Sequence, residues 1–205
     1  MNRLRHQALY IPSLAFLLSF LFSTLTRIGL LGFSWSNSSH TPGELISLFA
    51  YGAIGDVLFA LALAGLMLIF TALTHTRWTM SRPFKAKRLL AVFVLIAVLL
   101  FIAISEFVFW NEFDARFNFV AVDYLIYTRE VIGNIRESYS LPLLFGGIFV
   151  GGGFITMLCY RYWPIQPAKS WRIFSRAAMA ILGAVLCFGA GWLALQSTAK
   201  NTSQN

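Results

Sequence analysis

Residues 89–109 read LLAVFVLIAVLLFIAISEFVF, a run whose single charged residue is Glu106, close to its end. A helix built from such a run crosses a hydrocarbon core, which needs about 20 apolar residues. Four other runs are of similar length and character, so that the five are residues 8–26, 45–73, 89–109, 141–160 and 177–195. The sequence therefore predicts an all-α membrane protein in which residues 1–195 form a domain of five transmembrane helices.

The composition agrees with this class. Of the 205 residues 58% are hydrophobic and 12% are charged, whereas soluble domains carry roughly 25% charged residues. The formal net charge of +8 raises the alternative of nucleic-acid binding, but the Lys and Arg residues lie between the apolar runs and form no basic face. Nucleic acid is therefore excluded as an expected partner.

The first run follows Arg3 and Arg5 and could be taken for a secretory signal peptide. Its apolar stretch exceeds the usual 7 to 15 residues, roughly, of a signal peptide, and no small-x-small cleavage site follows it. We interpret the run as a retained membrane anchor.

The connectors predict the orientation of the spans. Lys and Arg are concentrated in the N-terminal tail and in residues 74–88 and 159–176. Residues 32–44 contain no Lys or Arg, and residues 111–140 carry three Arg against five acids. Because Lys and Arg favour the cytoplasmic side, the sequence predicts a cytoplasmic N-terminus and an extracytoplasmic C-terminus.

The polar tail at residues 196–205 reads QSTAKNTSQN. It has two interpretations: a linker truncated before an extracytoplasmic soluble domain, or the short polar tail that small membrane proteins ordinarily have.

The connector at residues 111–140 reads NEFDARFNFVAVDYLIYTREVIGNIRESYS. Its acids Asp123, Glu130 and Glu137 recur every seven residues, so they share one face of a helix. The spacing predicts an amphipathic helix from about Val120 to Ser138 that lies along the extracytoplasmic membrane interface, because its charges exclude a span.

The charged side chains in and beside this connector allow two hypotheses. They form a structural belt of weak, solvated pairs, or the arginines contact anionic phospholipid headgroups, which suit the planar donor fork of Arg. The interfacial network predicted here consists of Glu106, Glu112, Asp114, Arg116, Asp123, Arg129 and Arg136.

The residues from Glu106 to Tyr139, especially EFVFWNEFDARFNF and VDYLIYTREVIGNIRESY, resemble the membrane domain of lipoteichoic acid synthase-like, sulfatase-type proteins of the alkaline phosphatase superfamily. The resemblance is strong in that segment and loose elsewhere. It implies a bacterial plasma (inner) membrane protein whose five-helix domain precedes an extracytoplasmic catalytic domain. That domain would use a threonine nucleophile and a divalent metal such as manganese to transfer a phosphoglycerol or phosphoethanolamine headgroup.

The chain departs from this family in one respect: we expect neither catalytic residues nor metal ligands in it, and we expect it to bind no cofactor. The histidines His6, His40 and His75 lie in different polar segments, on opposite sides of the predicted membrane, and a shared metal site is not expected. Any enzyme activity implied by the resemblance belongs to a domain that this chain lacks.

Two features inside the spans are candidate sites. Asp56 lies in the second run, and an intramembrane acid is a functional hypothesis by default. It is interpreted as a polar helix contact, as part of a binding or translocation site, or as the result of a misplaced span boundary. Gly147 and Gly151 have the small-xxx-small spacing that allows close helix packing.

Three functions follow. The resemblance implies that the chain is the membrane-anchoring and lipid-presenting domain of a lipoteichoic acid synthase-like protein, with membrane phospholipids as partners. Alternatively, it is a stand-alone membrane scaffold for a partner protein, or a small transporter that uses Asp56. The oligomeric state is left open.

Overall fold

The computed structural model describes residues 9–35, 41–73, 83–113, 133, 135–162 and 173–202. Within these ranges the long elements are helices, in the order α1 (Tyr10–Ser34), α2 (Pro42–Leu73), α3 (Pro83–Phe113), α4 (Leu141–Tyr162) and α5 (Ile173–Thr202). Each contains a segment long and apolar enough to cross a membrane. The predicted all-α fold with five helices of spanning length is therefore confirmed.

The helices extend beyond the apolar runs. The structure continues α1 from Thr26 to Ser34 and α5 from Leu195 to Thr202. An apolar run ends at the first polar residues, whereas a helix continues as long as its backbone hydrogen bonds are made. The polar residues from Gln196 therefore begin as a helical continuation of α5.

The start of α2 shows what begins a helix here. The Thr41 backbone N–H donates to Glu44 Oε2 at 3.1 Å, and the Glu44 backbone N–H donates to Thr41 Oγ1 at 3.4 Å. This is a capping box, and Pro42 occupies the first helical position, where its missing N–H costs nothing. The helix consequently starts at Pro42, ahead of the apolar run that begins at Leu45.

Two compact units divide the chain. The first contains Met1–Leu25, Ser34–Arg88 and Ile165–Asn205. In this unit α2 packs against α5 in antiparallel orientation, since Ala62 contacts Cys187 whereas Ala72 contacts Arg176. The start of α3 also lies in this unit, where the Arg88 guanidinium stands 5.8 Å from the centroid of the Tyr10 ring.

The second unit contains Thr26–Phe33 and Leu89–Pro164. Here α3 packs against α4, and the ring centroids of Phe93 and Phe149 are 5.8 Å apart. A Cβ atom placed on Gly152 would lie 3.3 Å from Phe93 Cε2, so the absent side chain lets the aromatic ring approach the helix.

Many large apolar side chains of the five helices face outward. Phe174 is 88% exposed and Phe188 is 80% exposed, both on α5. A soluble protein rarely leaves such continuous apolar area in water, and lipid is the solvent that suits it. The chain is thus a multi-pass membrane protein by the length and surface of its helices.

Candidate functional site

The charged connector between α3 and α4 begins and ends at one place. Asn111, near the end of α3, donates a hydrogen bond from Nδ2 to the Tyr139 hydroxyl oxygen at 3.1 Å. Tyr139 stands just before α4, and its backbone N–H donates to the Ile135 carbonyl at 2.8 Å. The two ends of the connector are therefore held at the same end of the second unit. Spacing in the sequence gave no signal for this bond.

Only part of the predicted interfacial network lies among the described residues. Arg136 of the network is exposed on a short helical stretch, next to the exposed Glu137, and Glu106 of the network is half-buried on α3. The backbone of Glu112 belongs to the last turn of α3. The rest of the network, and most of the predicted helix at 120–138, lie outside the described residues; these network members are Asp114, Arg116, Asp123 and Arg129.

Asp56, the acid inside the second span, contacts another helix of the first unit. Asp56 is 5% exposed on α2, and its Oδ1 accepts a hydrogen bond from Ser23 Oγ of α1 at 2.5 Å. A carboxyl group that accepts a hydrogen bond from a hydroxyl inside a span regains part of the hydration it loses there. Ser23 was not singled out in the sequence, because a lone serine in an apolar run carries no pattern.

A buried arginine was also missed. Arg27 is 6% exposed in the second unit, within the candidate span of α1. The predicted first run stopped at Thr26 and the following connector was counted from residue 32, so Arg27 was assigned to neither. The residues that follow, IGLLGF at 28–33, are apolar and were the available signal that the helix continues past this charge.

The close helix approach in the first unit involves glycines other than the predicted pair. A Cβ atom on Gly65 would lie 2.7 Å from the Gly183 carbonyl oxygen, and one on Gly183 would lie 2.6 Å from the Gly65 carbonyl oxygen. Among described residues, a Cβ atom on Gly147 would meet nothing within 4 Å, and one on Gly151 would meet Leu100 Cδ1 at 3.7 Å.

One arginine closes the end of the α2–α5 pair. Arg176 donates from Nε to the Ala72 carbonyl at 2.8 Å and from Nη2 to the Leu73 carbonyl at 3.2 Å. The last carbonyls of a helix have no partner within the helix, and a cation there also favours the helix dipole. The side chain therefore acts as a cap supplied by a neighbouring helix.

The divalent metal that the family resemblance implies is expected in the catalytic domain and not in the membrane domain. Within the parts of the chain that the structure describes, no group of three or more His, Cys, Asp or Glu side chains is close enough to hold a metal ion.

Comparison with known proteins adds no family. No protein-family model matches the chain, and no solved structure matches it significantly.

Proposed function

We propose that this chain is the membrane domain of a lipoteichoic acid synthase-like protein, and that it anchors an extracytoplasmic catalytic domain and presents phospholipid headgroups to it. In this proposal the five spans hold the protein in a bacterial plasma membrane. The connector between α3 and α4 lies on the extracytoplasmic side and supplies the headgroup contacts.

The single observation that carries the proposal is the bond that joins the two ends of this connector. The Asn111–Tyr139 hydrogen bond sets both ends of the segment at one end of α3 and α4. A segment rich in arginine, acids and aromatic residues that leaves and re-enters at one membrane surface is positioned to meet headgroups. The sequence resemblance between Glu106 and Tyr139 supports the same role.

Arg136 is the residue through which this role is tested. Its side chain is exposed, and a Lys or Arg close to an anionic membrane surface contributes about 1 kcal/mol to lipid attraction. We therefore expect Arg136→Gln to lower the affinity for phosphatidylglycerol about fivefold. Titration of this lipid into the purified protein in neutral detergent, followed by native mass spectrometry, measures the change.

Glu137→Gln is the matched control, because Glu137 is adjacent, exposed and of opposite charge. Removing a negative charge leaves the affinity for an anionic lipid unchanged or raises it. Equal affinities of the Arg136→Gln variant and the unmodified protein would refute the headgroup role. The anchoring role would remain to be judged by membrane extraction of the chain.

A further inference from the structure

The lengths of α2 and α5 differ from what one bilayer needs. At 32 residues α2 is about 48 Å long, and at 30 residues α5 is about 45 Å long. A hydrocarbon core is about 30 Å thick. Both helices belong to the first unit and are antiparallel. The register between them therefore shows which part of α2 extends beyond the hydrocarbon core.

The apolar part of α5 marks the two edges of the hydrocarbon. Arg176 and Gln196 bound an uncharged stretch, and the candidate span of α5 ends at Gln196. The two residues are about 20 positions apart, which corresponds to about 30 Å of helix. The length of this stretch therefore matches one bilayer core without a large tilt.

The contacts of α5 then set the depth of α2. Moving along α5 from Arg176 through Gly183 to Cys187 moves the contacts back along α2 from Ala72 through Gly65 to Ala62. By extension of this register, Gln196 is level with about Ala53. The first turns of α2 consequently extend past the point at which α5 becomes polar.

Those first turns carry exposed apolar side chains. Leu48 is 47% exposed and Tyr51 is 77% exposed, and at a spacing of three residues they share one side of the helix. We name Leu48 and Tyr51 the α2 rim face. Tyr51 lies about 3 Å and Leu48 about 8 Å beyond the hydrocarbon edge along the helix axis, whereas the headgroup layer is about 5 to 8 Å thick on each side.

We propose that the α2 rim face is a lipid-contact surface seated in the phospholipid headgroup layer. The lipid is favoured as occupant because the rim face continues the exposed apolar surface of the same helix, which includes Ile54 and Phe59. A tyrosine places an apolar ring and a polar hydroxyl at this depth, as headgroup-level aromatic residues do. The capping box at Thr41 and Glu44, about 14 to 18 Å from the edge, then reaches water.

The surface is independent of the α3–α4 connector and of the proposed function. It depends on the register of α2 against α5, and it holds whichever end of the pair faces the cytoplasm.

Spin-label depth measurement tests the proposal on the full chain in phosphatidylcholine–phosphatidylglycerol vesicles. The background carries Cys159→Ser and Cys187→Ala, and nitroxides are attached in turn to Leu48→Cys and Tyr51→Cys. Glu44→Cys serves as the water reference and Leu66→Cys, an exposed site deeper along α2, serves as the hydrocarbon reference. Accessibility to oxygen and to a water-soluble nickel chelate is measured for each.

We expect both rim labels to lose nickel accessibility relative to Glu44→Cys and to lose oxygen accessibility relative to Leu66→Cys, which places them between the two references. Rim labels as accessible to nickel as Glu44→Cys would overturn the proposal, because the face would then stand in water. Oxygen accessibility equal to that of Leu66→Cys would also overturn it, since α2 would tilt into the core. Nickel accessibility below that of Leu66→Cys together with oxygen accessibility below that of Glu44→Cys would show that protein covers the face, and this result would also overturn the proposal.

Discussion

The surroundings of Asp56 distinguish two roles for an intramembrane acid, a translocation site and a polar contact between helices. A translocation site needs a carboxylate that its cargo can reach, whereas Asp56 is 5% exposed and accepts a bond from Ser23. The contact joins α1 to α2 through a hydrogen bond that replaces part of the hydration the carboxyl group loses in the span. The observation favours a polar helix contact as the role of Asp56.

A double-mutant cycle on Ser23→Ala and Asp56→Ala should therefore give a favourable coupling. Interhelical hydrogen bonds in membrane proteins average about 0.6 kcal/mol and reach about 1.7 kcal/mol. The free energies of unfolding are measured by titration with sodium dodecyl sulfate in mixed micelles.

Ser13→Ala is the control for this cycle. The Ser13 hydroxyl donates to the Tyr10 carbonyl within its own helix, so Ser13→Ala should be additive with Asp56→Ala. Zero coupling between Ser23→Ala and Asp56→Ala would contradict the helix-contact role.

At the scale of the elements, the α2–α5 contact depends on two residues that lack a side chain. Gly65 and Gly183 approach each other so closely that a Cβ atom on either would meet the other's carbonyl oxygen. In lipid, helices associate through such close packing because apolar burial from water no longer contributes. A backbone atom also yields less readily than the end of a flexible side chain.

Alanine at Gly65 or Gly183 should consequently destabilise the protein. Overpacking a close contact costs about 1 to 3 kcal/mol. Because the added Cβ atom meets a backbone carbonyl oxygen at both positions, we expect the upper part of this range, which exceeds the helix-propensity gain of about 1 kcal/mol from Gly to Ala. Gly147→Ala on α4 is the matched control, because its Cβ atom meets nothing within 4 Å among the described residues. If Gly65→Ala and Gly147→Ala gave equal unfolding free energies, the close contact would not be a determinant of stability.

The sequence predicted the five spans because hydropathy is a local property that each run carries by itself. It did not predict the partners of Gly65 or Asp56, because the residues they contact lie on other helices and at unrelated spacings. Close packing was predicted at Gly147 and Gly151 instead, because the small-xxx-small spacing is a pattern within a single helix. The repeat of Ala60, Ala64, Leu68 and Ala72 every four residues, all buried, was an available signal for the packed face of α2.

The boundaries show a related limit. Arg27 and Gln196 ended the predicted runs because they are polar, yet both continue a helix. Polarity predicts where a helix leaves the hydrocarbon, whereas capping predicts where it stops. The capping box at Thr41 and Glu44 could have been recognised from the sequence TPGE at 41–44.

At the scale of the whole molecule, the orientation of the chain in the membrane is predicted from the Lys and Arg residues at the helix ends. Lys87 and Arg88 lie at the start of α3, Arg161 at the end of α4 and Arg176 near the start of α5. These ends adjoin the two connectors rich in Lys and Arg, and the cytoplasmic bias of those residues predicts that both connectors face inward. On this prediction, successive spans cross the membrane in opposite directions.

Reporter fusions test this orientation together with the helix pairing. Because α2 and α5 are antiparallel, the start of α2 and the end of α5 lie at one end of the pair. Alkaline phosphatase and green fluorescent protein fused after His40 or after Asn205 should therefore report one side, and the charge distribution makes this the extracytoplasmic side. A fusion after Leu73 should report the cytoplasm.

The outcomes separate the two arguments. If the His40 and Asn205 fusions reported opposite sides, the antiparallel pairing of α2 and α5 would be refuted, because its contacts at both Gly65 and Arg176 require it. If both reported the cytoplasm, the pairing would stand and only the charge-based orientation would fail. In that case the connector between α3 and α4 would also face the cytoplasm, and the proposed presentation of headgroups to an extracytoplasmic domain would fail with it.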